Sequence, residues 1–421
     1  MANFVFNKPK TQNKIFKSFK SPFGESNGFK LPPAENRIGL SPLTLPMEGL
    51  PRVIYYTADG GGCAFYRMLW PMEYLISTNK AVCMNMYQMV LHPMFYEGLD
   101  AVVLQRQCGD HQVAFVKELK KFQQMLFQKN GKAFKMIFEI DDIVIRDLIP
   151  DYNRCKEAFD NDKIGNNIKE IMPLMDEFTV VSKTMKKHYK DFLGNYDKIT
   201  VIPDYIPPTV YDRWYNEETL LKNFEDNKDR PRILYAGSAT HFDIANRNGQ
   251  KDDFSDLLDF IIKNHKKYKF VFLGGFPLKL QSLILSKEIE YHPWVDLFDL
   301  PKKMLELKCQ VCIAPLANNA FNASKANIKL TEAGALGIPV IAQNLACYEE
   351  GFLNFDTISE FEIQLNNVLD SRFYLNHVRR SRAYAEEYFL DKHLDEHMLV
   401  LTTPYGDPKR LENKWFVKNN S

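Results

Sequence analysis

The run FNASKANIKLTEAGALGIPV, residues 321–340, carries Lys325, Lys329 and Glu332 on its way to a glycine turn and a strand. A helix that only covers a sheet needs Ile328, Leu330 and Leu336 and has no use for the three charged groups. At helical spacing they fall on neighbouring turns. The run follows the apolar stretch CIAPL directly, so its amino end faces the edge where such a strand would meet a ligand. Positive charge at a helix amino terminus opposes the macrodipole unless an anion is expected there. Two lysines and exposed N–H groups suit a diphosphate, and Glu332, deeper along the helix, can accept the hydroxyl protons of a ribose. The plain alternative is a solvated salt-bridged face.

Other clusters have the same character. In YYTADGGGCAFYR, Gly61 and Gly62 follow an apolar run, where a backbone without side chains can approach a ligand closely, and Tyr66 and Arg67 come one turn later. A tight connection explains the glycines equally well, and no Gly-Lys-Ser/Thr ends the loop as a phosphate loop of that type would require. FEIDD places Asp141 and Asp142 at the end of another run. Adjacent carboxylates there can orient an acceptor hydroxyl or take its proton; a helix cap or a metal-binding pair are the alternatives. In ILYAGSATHFD, Gly237 and Ser238 end a run, and His241 behind them can bond a sugar hydroxyl or a phosphate, or be structural. Arg247 and Lys251 follow in a polar loop.

The elements that must position these residues are short β-rich runs alternating with helical segments. RVIYYTA, DAVVLQRQ, FKMIFEID, EFTVVS and KITVIPD are strand candidates, and Phe115, Leu119, Phe122 and Leu126 repeat at helical spacing between two of them. After a polar, proline-bearing stretch the alternation restarts with RILYAGS, KFVFLGG, VCIAPL and IPVIAQ. Alternation of this kind predicts mainly parallel sheets covered on both faces. The expected organisation is a basic and aromatic tail (1–49), a first doubly wound domain (50–205), a linker (206–230), a second doubly wound domain (231–365), and helices (366–421) that return to the first. Doubly wound sheets bind ligands outside the carboxyl ends of their strands, where these clusters lie.

Bulk composition narrows the classes. The 421 residues suffice for two or three domains, and 45% apolar with 25% charged content is ordinary for a globular chain. A formal charge of +1 makes the whole molecule no magnet for nucleic acid or anionic lipid. Seven irregularly spaced cysteines, no secretory leader pattern and no long apolar run point to a cytoplasmic protein without integral membrane association. Cys309 and Cys312 form a CxxC inside a strand candidate, where residues three apart face opposite sides, which disfavours a redox or zinc role.

The chain resembles the GT-B glycosyltransferases, specifically those similar to the large retaining GT4 group, from Pro51 to about Leu401. The anchors are GGGCAFYR, FEIDD, VVSKTM…ITVIPDYI, ILYAGSATHFD and, most specific, IAPLANNAFNASKANIKLTEAGALGIPVIA. Family members carry two glutamates separated by seven residues. Glu332 matches the second, assigned in the family to the nucleotide ribose, whereas Ser324 stands at the first. Subfamilies with an FN..K…K..E pattern use lysines instead, which suits Lys325 and Lys329. The family's arginine after the second-domain glycine is absent, leaving Arg247 or Lys251 as substitutes. With these departures the resemblance does not fix whether anomeric configuration is retained.

The resemblance implies two Rossmann-like domains facing a cleft. The second would hold a nucleoside-diphosphate sugar, a UDP-sugar, through Gly237, Ser238, Arg247, Lys251, Lys325, Lys329 and Glu332. The first would hold the acceptor through Gly61, Gly62, Tyr66 and Arg67, with Asp141, Asp142, His241 and Lys329 as catalytic candidates. No metal and no tightly bound cofactor are expected. The tail interleaves Lys8, Lys10, Lys14, Lys17, Lys20 and Lys30 with Phe4, Phe6, Phe16, Phe19, Phe23 and Phe29, which suits phosphates and unstacked bases, the plain alternative being a tail packed across the surface or left flexible. With a lysine-, asparagine- and phenylalanine-rich style resembling large lytic phages, this favours a hydroxymethylated pyrimidine, such as hydroxymethylcytosine, in phage DNA as acceptor. A lipid-linked or cell-surface saccharide is the rival, and a sugar-nucleotide epimerase or a binding module without catalysis the remoter readings.

Overall fold

The computed structural model describes residues 49–159, 163–243 and 251–421, all within one compact unit, Leu40–Ser421. The basic, aromatic tail, except its last residue, and Arg247 lie outside the described residues.

Two six-stranded, wholly parallel sheets carry the fold. The first contains β1 (Arg52–Tyr56), β2 (Val82–Met86), β3 (Ala101–Gln105), β4 (Lys135–Glu139), β5 (Glu177–Val180) and β6 (Ile199–Val201), in the order β2-β1-β3-β4-β5-β6. The second contains β7 (Arg232–Gly237), β8 (Lys269–Gly274), β9 (Glu290–His292), β10 (Val311–Ala314), β11 (Val340–Gln343) and β12 (Asn354–Phe355), in the order β12-β11-β10-β7-β8-β9. Each predicted apolar run forms its strand, because a parallel sheet buried on both faces selects unbroken apolar sequence. The helix Asp110–Asn130 buries Phe115, Leu119 and Leu126 and ends on Gly131 in the left-handed conformation. In each sheet strand order reverses once, between β1 and β3 and between β7 and β10. A crevice opens at such a switch point.

Between β1 and β2 the chain forms a short helix, Gly62–Ala64, a π-helical turn, Phe65–Leu69, and the helix Trp70–Ser77. Pro71 has no N–H to give, and its ring would crowd the carbonyl four residues back. The wider turn, in which the Trp70 N–H bonds the Phe65 carbonyl, accommodates it.

The stretch 206–230 contains the helices Pro208–Tyr211 and Glu217–Asp226. Helix Ser371–Glu386 then lies on helix Ile328–Ala335, so closely that a Cβ on Gly334 would stand 2.6 Å from the Ser381 carbonyl oxygen. Beyond it the chain returns to the first sheet. Arg410 donates to both carboxylate oxygens of Glu177 at 2.6 Å each, and the Asn420 amide bonds the Val201 N–H at 2.7 Å and its carbonyl at 3.1 Å. Among the described residues no helix is long and apolar enough to cross a membrane.

Candidate active site

The run 321–340 is not one helix. It forms two, Ala320–Ala323 and Ile328–Ala335, with Lys325 in the break and Lys329 and Glu332 on the second. Side chains that compete for backbone groups cause the interruption. Asn319 caps the first helix by accepting from the Asn322 N–H at 2.8 Å; Ser324 donates back to the Ala320 carbonyl at 2.8 Å; and Asn327 is drawn to the Tyr384 hydroxyl at 2.6 Å.

The break aims the charged groups at the β7/β10 crevice. Lys329 donates to the Ala236 carbonyl at the end of β7, and its ammonium lies 4.8 Å from the centre of the Tyr235 ring. A Cβ on Gly237 would collide with the Tyr235 hydroxyl and come within 2.8 Å of Lys329 Nζ, so glycine is what lets the ammonium reach the strand end. Burial pulls the Lys329 pKa down, against Cys312 and Glu332. Lys325 sits over the Phe321 ring at 4.6 Å. The residue before it, Ser324, accepts at its carbonyl from the Ser182 hydroxyl, just beyond β5 of the first sheet, at 2.7 Å, and the Lys325 charge acts on Lys329, His241 and Asp142. Among the described residues neither lysine joins an ion pair.

Glu332 accepts from the Tyr66 hydroxyl, which belongs to the first sheet's π turn, and from Tyr211 at 3.3 Å. Burial raises its pKa against those bonds and against Lys329. Ser238 is exposed after β7 and pairs its hydroxyl with Thr240 at 2.6 Å. His241 Nδ1 stands 2.6 Å from Asp253 Oδ2, and burial, with Lys325 and Lys329 nearby, pushes its pKa down to about 4. Lys251 is drawn elsewhere: its ammonium, 79% exposed, pairs with Asp256 at 3.3 Å.

On the first sheet, Gly61 is exposed and donates its N–H to Asp59 at 2.8 Å, with Gly62 beginning the helix behind it. Tyr66 is buried against Trp70, their ring centres 4.7 Å apart. Arg67 is 6% exposed and is enclosed between Glu139 at 2.7 Å and Asp204 at 3.1 Å, an internal ion pair rather than a group facing the crevice. Asp141 lies 3.5 Å from Arg106, which also pairs with Asp59. Asp142 accepts from the Ile143 N–H at 3.0 Å, and burial raises its pKa against the pull of Lys325. The structure thus gathers Gly237, His241, Lys325, Lys329, Glu332, Tyr66 and Asp142 around one crevice and keeps Arg67 and Lys251 apart from it.

Several contributors carried no motif: Arg106, Tyr211 and Asp253. Arg106 holds a left-handed backbone, φ 47°, at the end of β3, beside the first switch point, and position in a strand-ending run was its only signal. A cavity of about 720 Å³ lies at the opposite, amino ends of β3–β6. Three of its four lysines, Lys120, Lys132 and Lys135, already pair with Asp176, Asp100 and Glu177, and it sits at the wrong end of the sheet for a doubly wound fold.

No protein-family model matches the chain, and no curated protein matches it by sequence. Solved structures do match. HepE of Anabaena in complex with UDP and glucose superposes with a TM-score of 0.55 at 11% identity, over 83% of this chain and 98% of that one. The fold is GT-B. An α-glucosyltransferase in complex with UDP-glucose and DNA containing an abasic site gives 0.53 at 12% identity, over 84% and 100%. Sucrose-phosphate synthase from Thermosynechococcus elongatus gives 0.52 at 12%, over 84% and 98%. At such identities the likeness is one of architecture, and in a GT-B frame the crevices at the carboxyl ends of the two sheets face each other.

Proposed function

We propose that the chain is a glycosyltransferase that moves a sugar from a nucleoside-diphosphate sugar, a UDP-sugar, to the hydroxyl of a hydroxymethylated pyrimidine in DNA. The observation that carries the donor half is the pair Lys325 and Lys329, two cations without ion-pair partners among the described residues, at the switch point of the second sheet. Such charge is stable there once an anion shares it. A diphosphate supplies the anion, and Glu332, at present holding two tyrosine hydroxyls, has the acceptor oxygens that ribose hydroxyls need. Complexes of HepE with UDP-glucose and of the DNA-bound α-glucosyltransferase with UDP-glucose support the same donor.

In this reading the bond between the anomeric carbon and the diphosphate oxygen breaks while one forms to the acceptor oxygen. The electrons stay with the diphosphate, and Lys329, with Lys325 behind it, stabilises the growing charge. In the same reading Asp142, its pKa raised by burial, takes the acceptor's proton. Closure of the two sheets around the donor excludes water, the competing nucleophile. A base inside a duplex would be flipped out to reach the crevice.

The test is nucleoside diphosphate release from a panel of nucleotide sugars, with hydroxymethylated DNA, unmodified DNA or saccharides as acceptor. Release of UDP only with hydroxymethylated DNA is expected. Release with a saccharide alone would replace the acceptor, and failure of every nucleoside diphosphate to bind would remove the donor half as well.

A further inference from the structure

Asp253 lies outside every motif, yet four donors converge on its buried carboxylate, and they divide unequally between its oxygens. Oδ1 accepts from the Tyr152 hydroxyl at 2.6 Å, the Asn322 amide at 2.6 Å and the Ala317 N–H at 2.8 Å. These tie together the chain after β4, the run after β10 and the short helix before Lys325. Among the described residues Oδ2 accepts from His241 Nδ1 alone, at 2.6 Å. Burial works against the charged form of Asp253, but its donors overcome this and hold its pKa below the usual carboxylate range. An ionised carboxylate has no proton to give, so the hydrogen between the two groups belongs to the imidazole.

We infer that Asp253 is a positioning residue that fixes His241 as the neutral tautomer protonated on Nδ1, so that Nε2 offers a bare lone pair to a sugar hydroxyl and not a proton to a phosphate. The inference rests on the donor reading of the crevice. A phosphate oxygen at neutral pH only accepts hydrogen bonds and finds nothing at Nε2, whereas a hydroxyl donates. Lys325 and Lys329 already serve the anion, and their charges favour an uncharged imidazole beside them. His241 has no other hydrogen-bond partner among the described residues, and its ring is 12% exposed. Among the alternatives the sequence leaves open for His241, this selects the sugar hydroxyl.

The unequal division makes a selective variant available. In Asp253→Asn the amide oxygen can keep the three Oδ1 bonds while the amide nitrogen donates to Nδ1, forcing the imidazole proton onto Nε2. Histidine-¹⁵N-labelled full-length protein, with His241→Gln for assignment, reports the tautomer directly and without substrate. The wild type should show protonation at Nδ1, and Asp253→Asn should show it at Nε2. Tyr152→Phe, which loses one Oδ1 bond and the hydroxyl that accepts from Asn319 and Asn322 but leaves the Oδ2–His241 contact untouched, should keep the wild-type pattern. Adding UDP-glucose should shift the His241 Nε2 signal, and adding UDP alone should not. In turnover, Asp253→Asn should lose about tenfold or more in kcat, with KM for UDP-glucose within about twofold, while Tyr152→Phe stays near wild type. An Nε2–H or doubly protonated wild-type imidazole, equal shifts from UDP and UDP-glucose, or equal loss of turnover in Tyr152→Phe and Asp253→Asn would each overturn the inference. Failure of UDP to bind at all would instead overturn the donor reading beneath it.

Discussion

The two switch points are built to opposite electrostatic plans. At the first, between β1 and β3, every arginine is matched: Arg67 by Glu139 and Asp204, Arg106 by Asp59 and Asp141. At the second, between β7 and β10, Lys325 and Lys329 rest on aromatic rings and a carbonyl, and the nearby Glu332 bonds tyrosines instead. A self-neutralised cluster holds shape. A cluster with surplus cation is unfinished until something anionic arrives, and the contrast separates scaffold from site better than residue type does, since both are rich in charge.

The contrast breaks if substitutions on the two sides behave alike. Arg67→Met would leave Glu139 and Asp204 buried without their counter-ion, and denaturant unfolding should show a loss of about 3–5 kcal/mol. Lys329→Ala should reverse the pattern: a turnover loss of about 10²–10³ in UDP release, with an unfolding midpoint equal to or above that of the parent. A Lys329→Ala protein with full turnover would remove this lysine from the mechanism.

Acid sharpens the comparison further. His241 is held neutral in the fold, with a pKa of about 4 against an ordinary 6.5. Between those values the unfolded chain binds more protons than the folded one, so stability is intact above about pH 6.5 and falls as pH drops toward 4. The contribution of this group approaches about 3 kcal/mol at the acid end. Thermal unfolding against pH should therefore be less steep in His241→Gln than in the parent. The smallest effect belongs to Lys251→Ala: exposed and paired with Asp256, it should alter turnover by less than about twofold.

Most of the framework was legible because parallel strands leave an apolar signature. The strands that escaped, β2, β9 and β12, sit at or near sheet edges, are short or polar, and pack fewer side chains inside. Lys325, Lys329 and Glu332 were legible as a set because their charges are out of place on a covering helix. The interruption between the lysines was not, since it depends on Asn322 and Asn327 finding Asp253 and Tyr384, far away in sequence. Arg67 illustrates the converse. Its position after a glycine turn suggested a ligand, but the carboxylates that enclose it come from β4 and from the chain after β6, and only the tertiary structure brings them there.

The Tyr66 hydroxyl on the Glu332 carboxylate has a consequence for how a nucleotide could dock. Both phenols, Tyr66 and Tyr211, sit on the same oxygen, Oε1, and among the described residues Oε2 takes no hydrogen bond. A pentose reaching that acid would find a spare oxygen, so the tether that Tyr66 makes between the two halves of the molecule would survive its arrival.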